Sequence, residues 1–291
     1  MFKGSMVALI TPFKNDEVDT EALGRLVEFH IENGTDVICP CGTTGESATL
    51  SFEEHHRVVE AVITAAQGRV RVMAGTGSNN TDEAIKLTEH AKKAGADACL
   101  LITPYYNRPT QEGLFQHFKK IADTVDIPLV LYNVPSRTGV NMLAETVARL
   151  AEIDTIVGIK EASGSLAQVS EIVNLCGEGF DVISGDDVNT LPLMAVGGKG
   201  VISVTANIAP KQVAEMAHAG IDGRLADARR IHHYLLPLHN AMFLQTNPIP
   251  VKTALGMMGK IDPAMRLPLI PMPAELNDQL KNILVKYKLI V

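Results

Sequence analysis

The stretch IVGIKEASGSLAQVSEIVNLCGEGFDVISGDD, residues 156–187, holds one full strand–helix–strand unit. Its first apolar run, Ile156-Val157-Gly158-Ile159, shows no polar alternation, as expected of a strand covered on both faces. Ser165 with Gln168 then opens the helical segment LAQVSEIVNLC, and Gly177 stops it. A second apolar run begins at Phe180. Two strands joined through a helix by short connections lie parallel in one sheet.

The pattern repeats outward from this unit. Apolar runs MVALITP (6–12), DVICPCG (36–42), VRVMAGTG (70–77), ACLLITP (98–104) and PLVLYNVP (128–135) precede it, and GVISVTAN (200–207) follows. Helix signals separate them. Ser51 and Glu54 make a capping box closed by Gly68, and Asn80 with Glu83 opens a helix closed by Gly95. Thr20, Thr110 and Asn141 can cap three more helices, and 189–197 and 209–220 read as two further ones. Eight β-then-α units over about 220 residues predict an α/β chain of the (β/α)8 TIM-barrel class. An open doubly wound sheet is the alternative, but it often carries a Gly-rich phosphate loop after its first strand. Here that strand runs into TPFKNDEVD (11–19). Beyond residue 223 the alternation ends. Segments 224–243, 250–258 and 273–289 look helical, with Pro-rich breaks at 247–250 and 268–273. The expected organisation is a barrel over 1–223 and a small C-terminal helical subdomain over 224–291.

Bulk properties narrow the function classes. The 291 residues carry a net charge of −7 with a pI near 5.7, which argues against nucleic acid or anionic membrane as a partner. No uninterrupted apolar stretch is long enough to span a bilayer, and MFKGSMVALITPF at the start lacks the features of a signal peptide, so a cytoplasmic protein is expected. Cys39, Cys41, Cys99 and Cys176 read as reduced thiols, with Cys39 and Cys41 on one strand face. No C-x-x-C pattern accompanies them and His55-His56 makes no zinc pattern, so no metal is expected. Gly197-Gly198-Lys199-Gly200 precedes a strand and is a poor phosphate loop.

A barrel of this kind places its active site at the C-terminal strand ends. Lys160 stands in an apolar strand, where burial disfavours the ammonium and favours an amine able to form an imine with a ketone. The bland reading is a structural lysine paired with an acid of the seventh strand; Glu161 is a poor partner because neighbouring strand residues face opposite ways. Tyr132, on the adjacent strand, puts a phenol within reach if its face lines the barrel. Gly42-Thr43-Thr44-Gly45 can turn tightly and offer N–H groups to a carboxylate, and Arg137 can clamp one bidentately. A plain turn and a surface arginine are the competing readings.

The strings GTTGESATL (42–50), TPYYNRPTQEG (103–113), YNVPSRTG (132–139), GIKEASG (158–164), SGDD (184–187) and GVISVTAN together resemble the dihydrodipicolinate synthase family, within the N-acetylneuraminate lyase superfamily. The resemblance runs from about residue 3 to beyond residue 270. It implies an imine between pyruvate and Lys160, with Tyr132 as proton donor and acceptor. Thr43 and Tyr106 would complete a hydroxyl relay, Tyr106 reaching in from a neighbouring subunit of a dimer-of-dimers homotetramer. Thr44 and the adjacent amide would hold the pyruvate carboxylate, Arg137 that of aspartate semialdehyde, and the backbones of Gly185 and Ile202 would line the pocket. The product would be 4-hydroxy-tetrahydrodipicolinate, made without metal or organic cofactor. Lysine, which inhibits many members, would bind at Ser47, Ala48, Leu50, His55, Asn79, Glu83 and Tyr105, with Asn79 and Glu83 sharing a helix face. Phe52 departs from the histidine common in lysine-sensitive members. The competing activities are a sialic acid or 2-keto-3-deoxy sugar acid lyase of the same superfamily, disfavoured by Arg137, and a barrel that only binds a keto acid.

Overall fold

The computed structural model describes residues 1–291. Eight parallel strands close into a barrel: β1 (Gly4–Ala8), β2 (Val37–Cys39), β3 (Arg71–Gly75), β4 (Ala98–Ile102), β5 (Leu129–Asn133), β6 (Ile156–Glu161), β7 (Asp181–Ser184) and β8 (Gly200–Ser203). Neighbours in sequence are neighbours in the sheet, and β1 pairs with both β2 and β8 to close it. This is the (β/α)8 barrel, and the open-sheet alternative falls. A two-residue hairpin, Phe13–Lys14 with Glu17–Val18, follows β1.

Helices α1 (Thr20–Glu32), α2 (Phe52–Ala66), α3 (Thr81–Ala94), α4 (Gln111–Thr124), α5 (Ala144–Ala151), α6 (Leu166–Cys176), α7 (Thr190–Ala195) and α8 (Pro210–Ile221) alternate with the strands. The capping chemistry is largely as read. Ser51 and Glu54 form the reciprocal capping box of α2, and the side chains of Asn80, Thr110 and Ser165 cap α3, α4 and α6. Three ends differ. Asp19, one residue before Thr20, accepts the Ala22 N–H and caps α1. Gln67, in the left-handed region at φ 50°, ends α2 ahead of Gly68. Leu143 occupies the N-cap of α5, because Asn141 is committed to Gln168 and Asn133 instead.

Two cores result. A cluster of 13 buried residues, among them Met6, Cys39, Met73, Val130, Tyr132, Ile183 and Ile202, fills the barrel interior. A larger cluster of 57 lies between sheet and helices, and it includes leucines of α9 (Leu225–Ala241), α10 (Ile249–Met257) and α11 (Ala274–Lys286). The C-terminal helices therefore bury their apolar faces against the same core as the barrel helices. Cys39 and Cys41 do not share a face: β2 ends at Cys39, and Cys41 turns through φ 56° into the outer cluster. All four cysteines are free, and burial pushes the Cys39 thiol up to about 12, with Lys160 pulling the other way. No helix is long and apolar enough to cross a membrane.

Candidate active site

β5 and β6 set the geometry of the centre. Their register pairs Tyr132 directly with Lys160 and Asn133 with Glu161. Strand alternation then sends Tyr132 and Lys160 into the barrel and the second pair to its outer face. Lys160 is 6% exposed and Tyr132 7%. The Lys160 Nζ lies 4.2 Å from the centre of the Tyr132 ring.

No nearby acid is available to make Lys160 a structural ion pair, because each has other partners. Glu161 accepts from Ser163 N, Asn133 Nδ2 and Gln168 Nε2. Asp186, pushed up from the usual carboxylate range chiefly by burial, accepts from Val188 N and Asn189 Nδ2. Asp187 accepts from Ser203 Oγ and the amides of Val204 and Thr205, and Asp181 from the chain's first residues. An isolated amine beside a phenol in an apolar barrel is suited to nucleophilic attack on a carbonyl. Gly185 holds the stem of that lysine: a Cβ there would stand 3.0 Å from Lys160 Cε. Ile202 packs within the same inner cluster.

A cavity of about 450 Å³ opens above the strand ends, a size that suits a small ligand. Thr43, Tyr132 and Arg137 line it. Lys160, Thr44, Gly185 and Ile202 are not among its lining residues, and the Tyr132 ring against Nζ links the lysine to it. The loop 42–47 folds on itself: Gly45 N and Ser47 N donate to Gly42 O, and Glu46 N to Thr43 O. The N–H groups of Thr43 and Thr44 have no acceptor in the chain, which leaves both able to donate to a ligand. Arg137 sits on the helical turn Pro135–Thr138, closed by Gly139 at φ 74°, a conformation that favours glycine.

Two supports of this site escape a reading of the strand ends. Asn247, between α9 and α10, donates from Nδ2 to Thr44 Oγ1 at 2.9 Å and accepts from Arg137 on its carbonyl at 3.3 Å, so it ties the Thr43–Thr44 loop to the Arg137 turn. Its only sequence signal is the break Thr246-Asn247-Pro248-Ile249-Pro250. Lys252 of α10 is fully buried and bonds Glu46 Oε1 at 2.6 Å, while Arg266 N donates to the other oxygen. Phe13 packs against both Lys252 and Arg266, with its ring centre 4.3 Å from Lys252 Nζ and 4.4 Å from Arg266 Cζ. That charged clasp anchors Glu46, which is left-handed at φ 53°, at the end of the Thr43–Thr44 loop.

The resemblance-based residues divide into three groups. Ser47, Ala48, Leu50, Phe52, His55, Glu83 and Tyr105 line the same cavity. His55 bonds Gly75 O through Nε2 at 2.7 Å, so that nitrogen carries the proton; burial pulls its pKa down to about 4, and Nδ1 is buried without a partner. Asn79 departs from expectation. It precedes the cap residue Asn80 and shares no helix face with Glu83; its amide donates to Tyr105 O, while Glu83 accepts from Ser78 Oγ. Tyr106 is 90% exposed at φ 70° and takes no part in this chain's own cavity.

Fold and site define a (β/α)8-barrel enzyme built around a buried, unpaired lysine. The chain belongs to the dihydrodipicolinate synthetase family, whose family model matches residues 1–287. It is 60% identical over 290 residues to 4-hydroxy-tetrahydrodipicolinate synthase of Geobacter sp. (strain M21), covering 100% of both chains. Among solved structures, it superposes on dihydrodipicolinate synthase from Aquifex aeolicus with a TM-score of 0.98 at 53% identity, covering 100% of this chain and 99% of that one. The chloride-inhibited dihydrodipicolinate synthase from Acinetobacter baumannii, complexed with pyruvate, matches with a TM-score of 0.98 at 48% identity over 100% of both chains.

Proposed function

We propose that this chain condenses pyruvate with L-aspartate 4-semialdehyde to 4-hydroxy-tetrahydrodipicolinate, with Lys160 as the imine-forming amine. The observation that carries the reading is a lysine 6% exposed, with every nearby acid otherwise engaged, 4.2 Å from the Tyr132 ring. Lys160 adds to the pyruvate ketone and expels water as an iminium. The iminium withdraws electrons, so the methyl loses a proton and becomes an enamine. The enamine carbon attacks the semialdehyde, and the substrate's own amine then displaces Lys160 as the ring closes. Tyr132 moves the protons, relayed through Thr43 and through Tyr106 of a neighbouring copy. The exposure of Tyr106 supports that role and a dimer-of-dimers tetramer.

Thr44 and the free amides of its loop hold the pyruvate carboxylate, and Arg137 holds the second one. An arginine at the cavity wall favours a carboxylate-bearing aldehyde over a sugar aldehyde. The end of the cavity around Ser47, His55, Glu83 and Tyr105 is where lysine binds: Glu83 offers a carboxylate to an ammonium group. Four unpaired cysteines agree with a cytoplasmic setting.

The test is reduction with borohydride in the presence of pyruvate, followed by peptide mapping. A stable adduct on Lys160, absent in Lys160→Met, supports the reading; an adduct elsewhere, or none, removes it. Turnover of pyruvate with the semialdehyde against sugar aldehydes separates the two lyase classes.

A further inference from the structure

Directly behind the reacting pair lies a second pair on the outer face of the barrel. Glu161 is 3% exposed, and three donors with no positive charge converge on it: Ser163 N at 2.6 Å, Asn133 Nδ2 at 3.0 Å and Gln168 Nε2 at 3.2 Å. A buried carboxylate is costly, and a site that supplies only donors is built for an acceptor-only group. Asn133 is fully buried and spends its whole amide here. Its Nδ2 donates to Glu161 and to Asn141 Oδ1, which forces its Oδ1 toward Met142 N at 3.0 Å. Asn141 Nδ2 in turn donates to Gln168 Oε1 at 2.8 Å.

Those bonds fall at the two ends of one loop. Residues 134–141 leave β5 after Asn133, carry Arg137 on the turn Pro135–Thr138, and return to Met142 beside the residue they left. Nothing of the network touches the Thr43–Thr44 loop. The pairing of Tyr132 with Lys160 is carried by the β5–β6 backbone ladder, which continues past the strand ends through Ala162 N to Asn133 O. The side-chain network is thus superfluous to the lysine–tyrosine pair and is the tie at the base of the arginine loop.

We propose that Glu161 is a positioning residue for the second substrate: through the amide of Asn133 it sets the loop that presents Arg137. The inference rests on the proposed role of Arg137 as the holder of the semialdehyde's carboxylate. Glutamine at 161 keeps the shape but aims an NH2 group at one of the three donors. That misorients Asn133 and frees the loop base. Asn141→Ala breaks the same tie from the half-exposed loop side and leaves both strands intact.

The experiment measures KM for each substrate, kcat and the borohydride-trapping rate with pyruvate, in wild type, Glu161→Gln and Asn141→Ala. The expected result is a rise of about tenfold in KM for the semialdehyde in both variants, the size of one lost buried hydrogen bond. KM for pyruvate and the trapping rate stay at wild-type values. Unchanged KM for both substrates overturns the proposal. So does a loss of kcat and thermal stability with no split between the substrates, the signature of a merely structural residue. Asn141→Ala decides alone if Glu161→Gln does not fold. A wild-type protein that traps nothing on Lys160 sinks the underlying reading; one that traps normally while the variants show no split sinks only this inference.

Discussion

Adding one methyl group at Gly185 probes how tightly the barrel confines the Lys160 amine, the proposed imine former. A Cβ at that position would lie 2.7 Å from Ala162 Cβ, 3.0 Å from Lys160 Cε and 3.2 Å from Lys160 Cγ. Carbon atoms in good contact sit about 3.5–4.0 Å apart, so the overlap is about 0.5–1 Å and is shared between Ala162 and the lysine stem. The φ of Gly185 is outside the left-handed region, so alanine meets no backbone penalty and the effect is one of packing. Overpacking of this kind costs about 1–3 kcal/mol. Where the lysine stem yields, Nζ moves by a comparable distance, and a misplacement of about 1 Å costs up to about 100-fold in rate. Gly185→Ala is therefore expected to slow imine formation by about 10- to 100-fold while far-ultraviolet circular dichroism stays unchanged. Adding Ala162→Gly removes the nearer clash and recovers part of that loss. The assay is the single-turnover rate of the borohydride-trapped pyruvate adduct. A Gly185→Ala protein that is folded and traps at the wild-type rate refutes the claim that Gly185 confines Lys160.

Three further outcomes are expected. Lys252→Met strands the buried Glu46 carboxylate and costs about 3–5 kcal/mol. At an unfolding entropy of about 2.1 cal/mol/K per residue this lowers Tm by about 5–8 °C, and a fall below about 2 °C at fixed protein concentration contradicts it. Burial lowers the pKa of His30 to about 3 and of His55 and His117 to about 4, below the usual 6.5. Between the folded and unfolded values the unfolded chain binds more protons, so stability falls as pH drops below about 6.5, by up to about 1.4 kcal/mol per unit for each histidine. Urea midpoints that stay flat from neutral pH to pH 4.5 would refute this, and His55→Gln should remove one histidine's share of the slope. Millimolar lysine should inhibit turnover and raise Tm, and Glu83→Gln should abolish both effects; wild-type activity and Tm unmoved by lysine dispose of the lysine site.

Much of the fold was legible because its signals are local and repetitive. A barrel strand covered on both faces has to be a run of Val, Ile and Leu, and a helix that starts in water has to cap its first N–H groups. Ser51, Asn80, Thr110 and Ser165 announced their helices for that reason. Asn141 misled because a side chain able to cap can equally bond elsewhere, and here the buried Glu161 carboxylate organises Asn133 and Gln168, the two residues to which Asn141 bonds. Asn79 misled because reading it onto the helix ignored that Asn80 already ends the turn before it. Partners separated by more than 200 residues, such as Thr44 with Asn247 and Glu46 with Lys252, leave no trace in any window of sequence.

Lys160 and Lys252 show where a sequence argument from burial reaches its limit. Both lysines interrupt apolar segments, Ile156–Ile159 in one case and the run from Ile249 to Met257 in the other, and both are buried in the fold. Lys252 is the more buried of the two, at 0% against 6%, and by burial alone it would rank as the better candidate for an activated amine. The difference lies in what surrounds each nitrogen. Glu46 Oε1 sits 2.6 Å from Lys252 Nζ, and although burial lowers that lysine's pKa, the adjacent carboxylate pulls the other way and ties the nitrogen into an ion pair. Lys160 meets the face of a phenol, and the acids around it are spent on other donors. In the proposed function, a buried lysine serves as the nucleophile by virtue of the partner it lacks. The lack of an ion-pair partner is set by the register of β5 against β6, which turns Glu161 to the outer face, and by the bonds that occupy Asp186 and Asp187, and only the folded chain displays them.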